Sequence, residues 1–302
     1  MKNFTKKALS LILAALIALS LTSVYADTLQ IGIPDDARNL PRGIKLLETA
    51  GFIKVNPEAG YAPELADITE YLYNIEIVPL AANTLPSVLE DFAGAAINGT
   101  YATSAGLVPS RDGLIIEKQS EGGDNPYINI IASRTADKDN EIFQKIVEVY
   151  QTQLVAEYML IRYEESFFPA FEYDSNLTLT QEEVDEITAY RSNPEGKTTV
   201  SVGVCGSQND YWYAVQKLLD EQNANIYIKL VEFEGGYTLP NDALNAGEID
   251  LNAFQHKNYL NGECEKFGYD IVAIGDTLIA PLTLYSKNFE SIDAIKEAAG
   301  AK

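Results

Sequence analysis

Apolar residues along this chain recur at two spacings. Short β-branched runs with strand character cover Thr28–Ile33, Ile75–Leu80, Leu114–Glu117, Ile128–Ser133, Thr199–Val204, Ile226–Phe233, Ile271–Gly275 and Pro281–Ser286. Between them, Leu40–Gly51, Pro86–Phe92, Asn140–Tyr163, Asn209–Gln222, Leu239–Ala246 and Ile292–Ala299 carry helical spacing. Strands that alternate with helices predict an α/β fold with largely parallel sheets, because each parallel pair needs a crossover and the crossover helix covers a sheet face.

One stretch interrupts the alternation. Glu172–Gly196 is acidic and polar; Thr180 and Glu183 make a capping box that opens a short helix, Gln181–Arg191, and Asn193-Pro-Glu-Gly196 stops it. It reads as a linker, residues 172–196, between two long blocks, 28–171 and 197–302. The other end of the chain carries a targeting pattern. Lys2, Lys6 and Lys7 precede an apolar run, Ala8–Leu21, and Val24-Tyr25-Ala26 supplies small residues for cleavage. Residues 1–26 are therefore expected to be a signal peptide, cleaved near Ala26. No cysteine follows the run, so the expectation is a secreted or periplasmic protein without a lipid anchor.

Charge narrows the partners. Residues 1–26 hold three of the 22 basic residues and none of the 44 acidic ones, which leaves 19 basic against 44 acidic and a formal charge of −25. A polyanion such as nucleic acid is excluded as a partner. Two cysteines, Cys205 and Cys264, are too few for a disulfide scaffold and leave a single bridge or two thiols open. One histidine and two scattered cysteines supply no usual zinc set, and no G-x-S-x-G, P-loop or H-E-x-x-H pattern is present. No enzymatic activity, metal or cofactor is expected.

Several longer stretches resemble one family. VEFEGGYTLPNDALNAGEIDLNAFQHKNYL (Val231–Leu260), APLTLYSKNFESIDAIK (Ala280–Lys296), GIPDDARNLPRGIKLLETAG (Gly32–Gly51), AAINGTYATSAGL (Ala95–Leu107), NPYINIIASR (Asn125–Arg134) and FFPAF (Phe167–Phe171) are similar to segments of the NlpA/MetQ family, methionine-binding proteins of ABC importers. The order differs: what begins a family member stands here at 197–302, and what ends one at 28–171. The resemblance therefore implies a two-lobed α/β periplasmic binding protein fold, type 2-like, in circularly permuted order. Residues 27–124 form one lobe, completed by 286–302. Residues 125–285 form the other and contain the linker. The chain crosses between lobes near Asn125–Ile130 and Leu278–Tyr285.

The same resemblance marks seven site residues. Arg42, early in a helix with Pro41 near its start, suits a ligand carboxylate through its bidentate fork. Asn98 and Asn129 complete the polar end, and Tyr237, Phe254, His256 and Tyr259 surround a methionine side chain, whose polarisable sulfur is attracted to aromatic rings. His256 is the chain's sole histidine, and an ordinary packed imidazole is the plain alternative for it. Two departures from the family pattern, Ala253 before Phe254 and the aromatic run Tyr211-Trp-Tyr213, bear on ligand size. The implied function is capture of L-methionine or a close analogue by a monomer that meets the membrane only through the permease and ATPase subunits of an ABC importer. A methionine or methionyl-dipeptide sensor uncoupled from transport is the alternative.

Overall fold

The computed structural model describes residues 28–60, 62–118 and 125–302; the expected signal peptide, with its cleavage point, lies outside them. Two five-stranded sheets organise these residues. The first runs in the order Ile75–Leu80, Leu29–Pro34, Gly94–Ile97, Thr283–Tyr285, Gly113–Ile116; the second runs Ile226–Phe233, Thr198–Cys205, Leu251–Asn252, Ile130–Arg134, Ile271–Asp276. The chain is α/β, as expected.

The sheets are mixed rather than largely parallel, and the crossings explain why. In the first sheet Leu29–Pro34 pairs in parallel with both neighbours, but Thr283–Tyr285 runs against Gly94–Ile97 and Gly113–Ile116. In the second sheet Ile130–Arg134 runs against both of its neighbours. Each of these reversed strands has just arrived from the other sheet. The other strands end at the cleft, whereas a crossing strand starts there and must run away from it. Strand carboxyl ends thus converge on one crevice, the usual ligand position in open α/β sheets. Thr283–Tyr285, which the sequence reading placed with residues 125–285, hydrogen-bonds within the first sheet.

Several element expectations are corrected by local chemistry. Asn140–Tyr163 is two helices, Glu141–Tyr150 and Gln153–Arg162, because Thr152 adopts an extended conformation (φ −110, ψ 159) between them. Pro86–Phe92 contains only a 3₁₀ turn, Leu89–Asp91; the hydroxyls of Thr84 and Ser87 donate to the carbonyls of Ala81 and Thr84 and close turns that compete with a helix. The linker helix spans Gln181–Ala189, with the capping box of Thr180 and Glu183 in place. It buries Val184 and Ile187 in the same core as Tyr158, Trp212 and Val202. Each such aliphatic side chain contributes about 1.5–3 kcal/mol on full burial. A second core is built on Ile31, Ile33, Ile44, Leu47 and Ile295. Cys205 and Cys264 are both free thiols, Cys205 buried and Cys264 half-buried.

Candidate functional site

The two crossings lie side by side where the sheets face each other. The Asn129 N–H donates to the Leu278 carbonyl (2.8 Å), and its own carbonyl accepts from the Thr277 N–H (2.8 Å). On its other side Asn129 bridges to His256. Above this junction is a cavity lined by all seven residues expected from the sequence: Arg42, Asn98, Asn129, Tyr237, Phe254, His256 and Tyr259. Asn39, Gly99, Thr100, Gln255 and Ala280 complete the wall. Gly99 is required by close approach, since a Cβ there would stand 2.8 Å from the Ala280 Cβ.

Arg42 comes from the first sheet's side. The strand Leu29–Pro34 ends, the chain turns over Asp36, and the helix Leu40–Thr49 begins with Pro41 in its first turn. Asn39 precedes the helix but does not cap it. Its side-chain amide donates to both Asp36 carboxylate oxygens (3.1 and 3.0 Å), and its Oδ1 accepts from Arg42 Nη1 (2.8 Å). The guanidinium edge is engaged by Glu117, with Nε to Oε1 at 2.9 Å and Nη2 to Oε2 at 2.5 Å. Burial alone would lower the Arg42 pKa; the Glu117 carboxylate outweighs it and holds the cation above its usual value. The Tyr127 ring lies 4.7 Å from the guanidinium carbon.

Asn98 follows the strand Gly94–Ile97 and precedes the short helix Gly99–Ser104 without capping it. Its Oδ1 is buried and finds no hydrogen-bond partner among the described residues. A buried amide oxygen left unpaired costs on the order of 1–3 kcal/mol, and this one belongs to a residue of the cavity wall.

The opposite wall is aromatic and comes from the second sheet. Tyr237 stacks on Phe254 with ring centroids 5.8 Å apart, and Tyr259 meets Tyr237 edge-on at 5.8 Å. Burial pushes the Tyr237 hydroxyl well above its usual pKa and keeps it protonated. Behind them Gln255 is locked in a buried amide network: its Nε2 donates to Asn241 (2.7 Å) and Asn252 (3.0 Å), and its Oε1 accepts from Asn241 (2.9 Å). Phe254 and His256 flank this anchored residue.

His256 caps a helix. Its Nδ1 accepts from the Tyr259 N–H (3.0 Å) at the start of Lys257–Phe267, a helix the sequence pattern did not reveal. A neutral ring with Nδ1 accepting must carry its proton on Nε2, which points at Asn39 Oδ1 (3.4 Å). Burial, then the Arg42 and Arg38 cations, depress its pKa well below 6.5, so the ring is neutral. The imidazole thus belongs both to the helix start and to the group that orients Arg42. Among the described residues no cluster of His, Cys, Asp or Glu could hold a metal ion.

The model of the NlpA lipoprotein family matches residues 19–171 and 200–301. The chain belongs to the NlpA lipoprotein family. Among relatives of this NlpA-family chain, the D-methionine-binding lipoprotein MetQ of Salmonella typhimurium is 41% identical over 133 residues, 43% of this chain and 48% of the relative. MetQ of Escherichia coli is 39% identical over the same length. The chain spans about half the length of these curated relatives. A nutrient binding protein from Burkholderia cenocepacia, solved bound to methionine, is 30% identical, with 48% of this chain and 59% of that one covered and a TM-score of 0.42.

The family corrects one expectation. The lack of a cysteine after the apolar run predicts a protein without a lipid anchor, but the family is one of lipoproteins and the relatives are named as such. An extracytoplasmic location fits both. Sequence reasoning also missed Glu117 and Asn39, which hold Arg42. Glu117 is 75 residues from its partner, and no local pattern marks such a pair.

Proposed function

We propose that this chain is an extracytoplasmic substrate-binding protein that holds methionine, or a close analogue, in the cavity between its sheets and delivers it to an ABC importer. The observation that carries the reading is the layout of the cavity. Among the described residues Arg42 is the one formally charged side chain in its wall, the Asn98 Oδ1 is an unpaired acceptor, and another part of the wall is a set of aromatic rings. A free amino acid offers the matching groups: a carboxylate for Arg42, an ammonium for Asn98 and Asn129, and a side chain for Tyr237, Phe254, His256 and Tyr259. A thioether gains about 0.3–1.5 kcal/mol from each aromatic contact. Relatives named for methionine binding support the same ligand class. Mass spectrometry of the small molecules released when freshly purified protein is denatured tests the reading. Methionine or a methionine derivative is expected at about one per chain; release of an unrelated compound in that amount would contradict it.

The lobes are proposed as drawn from the sequence, with the first sheet's lobe also taking in Thr283–Tyr285, and the segment order is proposed to be a circular permutation. Support comes from the ends of the described chain. The Leu29 N–H donates to the Asn74 carbonyl (3.2 Å), the Asn74 N–H donates to the Gly300 carbonyl (3.1 Å), and the Lys302 N–H donates to the Leu72 carbonyl (3.1 Å). One residue therefore bridges positions 29 and 300. Residues 172–199, which contain the linker, fall outside the family match. A chain rebuilt as 197–302 followed by 28–171 is expected to fold as a monomer and bind the same ligand. An obligate dimer with Arg42 from one copy and His256 from the other would overturn the intramolecular arrangement.

A further inference from the structure

Arg42 is committed before any ligand arrives. Glu117 takes the Nε–Nη2 edge of the guanidinium in a two-point pair and also accepts from the Leu282 N–H (3.0 Å), which fixes the carboxylate to the second crossing. Asn39 takes one Nη1 hydrogen. Nη2 also reaches the Ala280 carbonyl (3.4 Å), so what remains for a ligand at the end of the guanidinium is the second Nη1 hydrogen. Among the described residues the wall of the cavity has no acidic side chain, and Glu117 pairs with Arg42 without being part of that wall. His256 is neutral, since its Nδ1 accepts from an amide. Further out, Asp36 and Arg38 carry opposite charges. Among the described residues, the charges of Arg42 and Glu117 sum to zero.

We propose that Glu117 sets the charge selectivity of the cavity, cancelling Arg42 so that a zwitterion is held and a bare carboxylate or a bare ammonium compound is rejected. The inference rests on the amino-acid reading of the site and adds to it. A carboxylate placed against Arg42 feels the cation's attraction and the repulsion of Glu117 behind it. An anion has nothing further to gain, whereas a zwitterion also offers an ammonium, for which the unpaired Asn98 Oδ1 is an acceptor and the Glu117 charge is favourable. Removing the Glu117 charge would strengthen the field on any carboxylate and weaken it on any ammonium. These changes largely cancel for a zwitterion and do not cancel for an ion of either sign. Charges several ångströms apart in a partly buried site alter affinity on the order of tenfold or more.

The test uses calorimetric titration of the full protein with three probes of the same shape: L-methionine, 4-(methylthio)butanoate, which lacks the ammonium, and L-methionine methyl ester, which lacks the carboxylate charge. The wild-type protein is expected to prefer L-methionine to both. In Glu117→Gln, which keeps an oxygen for Arg42 and Leu282, the ratio of butanoate to L-methionine affinity should rise on the order of tenfold or more, while methyl ester binding falls. Glu117→Asp, which keeps the charge, should retain the wild-type preference. Glu117→Gln weakening all three probes by one factor would overturn the inference and leave a packing role. Should Glu117→Gln not fold, the wild-type ranking decides, because butanoate binding as tightly as L-methionine refutes a zwitterion filter. If the wild-type protein binds methionine without the selectivity, only this inference fails; if it binds none of the three, the amino-acid reading fails and the inference with it.

Discussion

The chain's only histidine allows a clean test of the site's electrostatics. His256 is buried, its Nδ1 accepts from the Tyr259 N–H, and Arg42 and Arg38 oppose a second proton. Its native pKa therefore lies well below 6.5, the unfolded reference. The sign follows: a depressed native pKa gives stability that is fully present above pH 6.5 and is lost as pH falls, because only the unfolded chain takes up the proton. Between pH 7.5 and 5.5 the unfolded imidazole goes from about one-tenth to about nine-tenths protonated, which costs about 1.4 kcal/mol of stability. His256→Asn removes the titration and keeps a good helix cap. Urea unfolding of both proteins at the two pH values should show the wild type losing about 1.4 kcal/mol more than the variant. Carboxylates titrate in both proteins and cancel in the difference. Equal losses, or a histidine Cε1 resonance that titrates near pH 6.5 in the folded protein, would refute the buried, neutral assignment.

Other consequences follow from named contacts. Arg42→Ala removes the cation facing the ligand and strands the Glu117 carboxylate, so a loss of roughly 3–5 kcal/mol in methionine affinity is expected by calorimetry, as for a broken buried ion pair. His256→Ala exposes the Tyr259 N–H, whereas His256→Asn re-caps it; the alanine variant should be less stable by about 1 kcal/mol in urea at pH 7.5. Glu157 is buried and accepts from the backbone N–H groups of Thr178 (2.8 Å) and Leu179 (2.5 Å), which moors the linker. Burial would raise its pKa, but Gln153 and these amides outweigh that and hold it below its reference of 4.5. Its contribution is present above that pH and fades as pH falls through the lowered value. Glu157→Gln should cost about 1–3 kcal/mol and speed proteolysis within residues 172–180.

Legibility in the sequence tracked how local each signal was. The strands Ile75–Leu80 and Ile226–Phe233 and the helices Leu239–Ala246 and Ile292–Ala299 stand where their periodicity put them, because buried β-branched runs and capped amphipathic turns are decided by near neighbours. The helix Lys257–Phe267 stayed hidden: Asn258, Asn261 and Gly262 break its apolar spacing, and its cap is an imidazole rather than a hydroxyl or carboxylate. The left-handed Gly268 that ends it was the one available sign. Strand direction depended on which strands cross between sheets, a property of the whole topology. The seven cavity residues were found through family resemblance and are drawn from elements spread over more than two hundred residues. Their supports, Asn39, Glu117 and Gln255, were not: Glu117 is 75 residues from Arg42, and Asn39 and Gln255, though near in sequence, are amides whose partners no apolar spacing marks.

Calorimetric titration of ligand-free protein with L-methionine tests the central claim most directly. One site per chain is expected, with a rise in stability of about 2.7 kcal/mol at a hundredfold excess over the dissociation constant. Absence of both heat and a melting shift, with L-methionine, D-methionine and methionyl dipeptides alike, would contradict it.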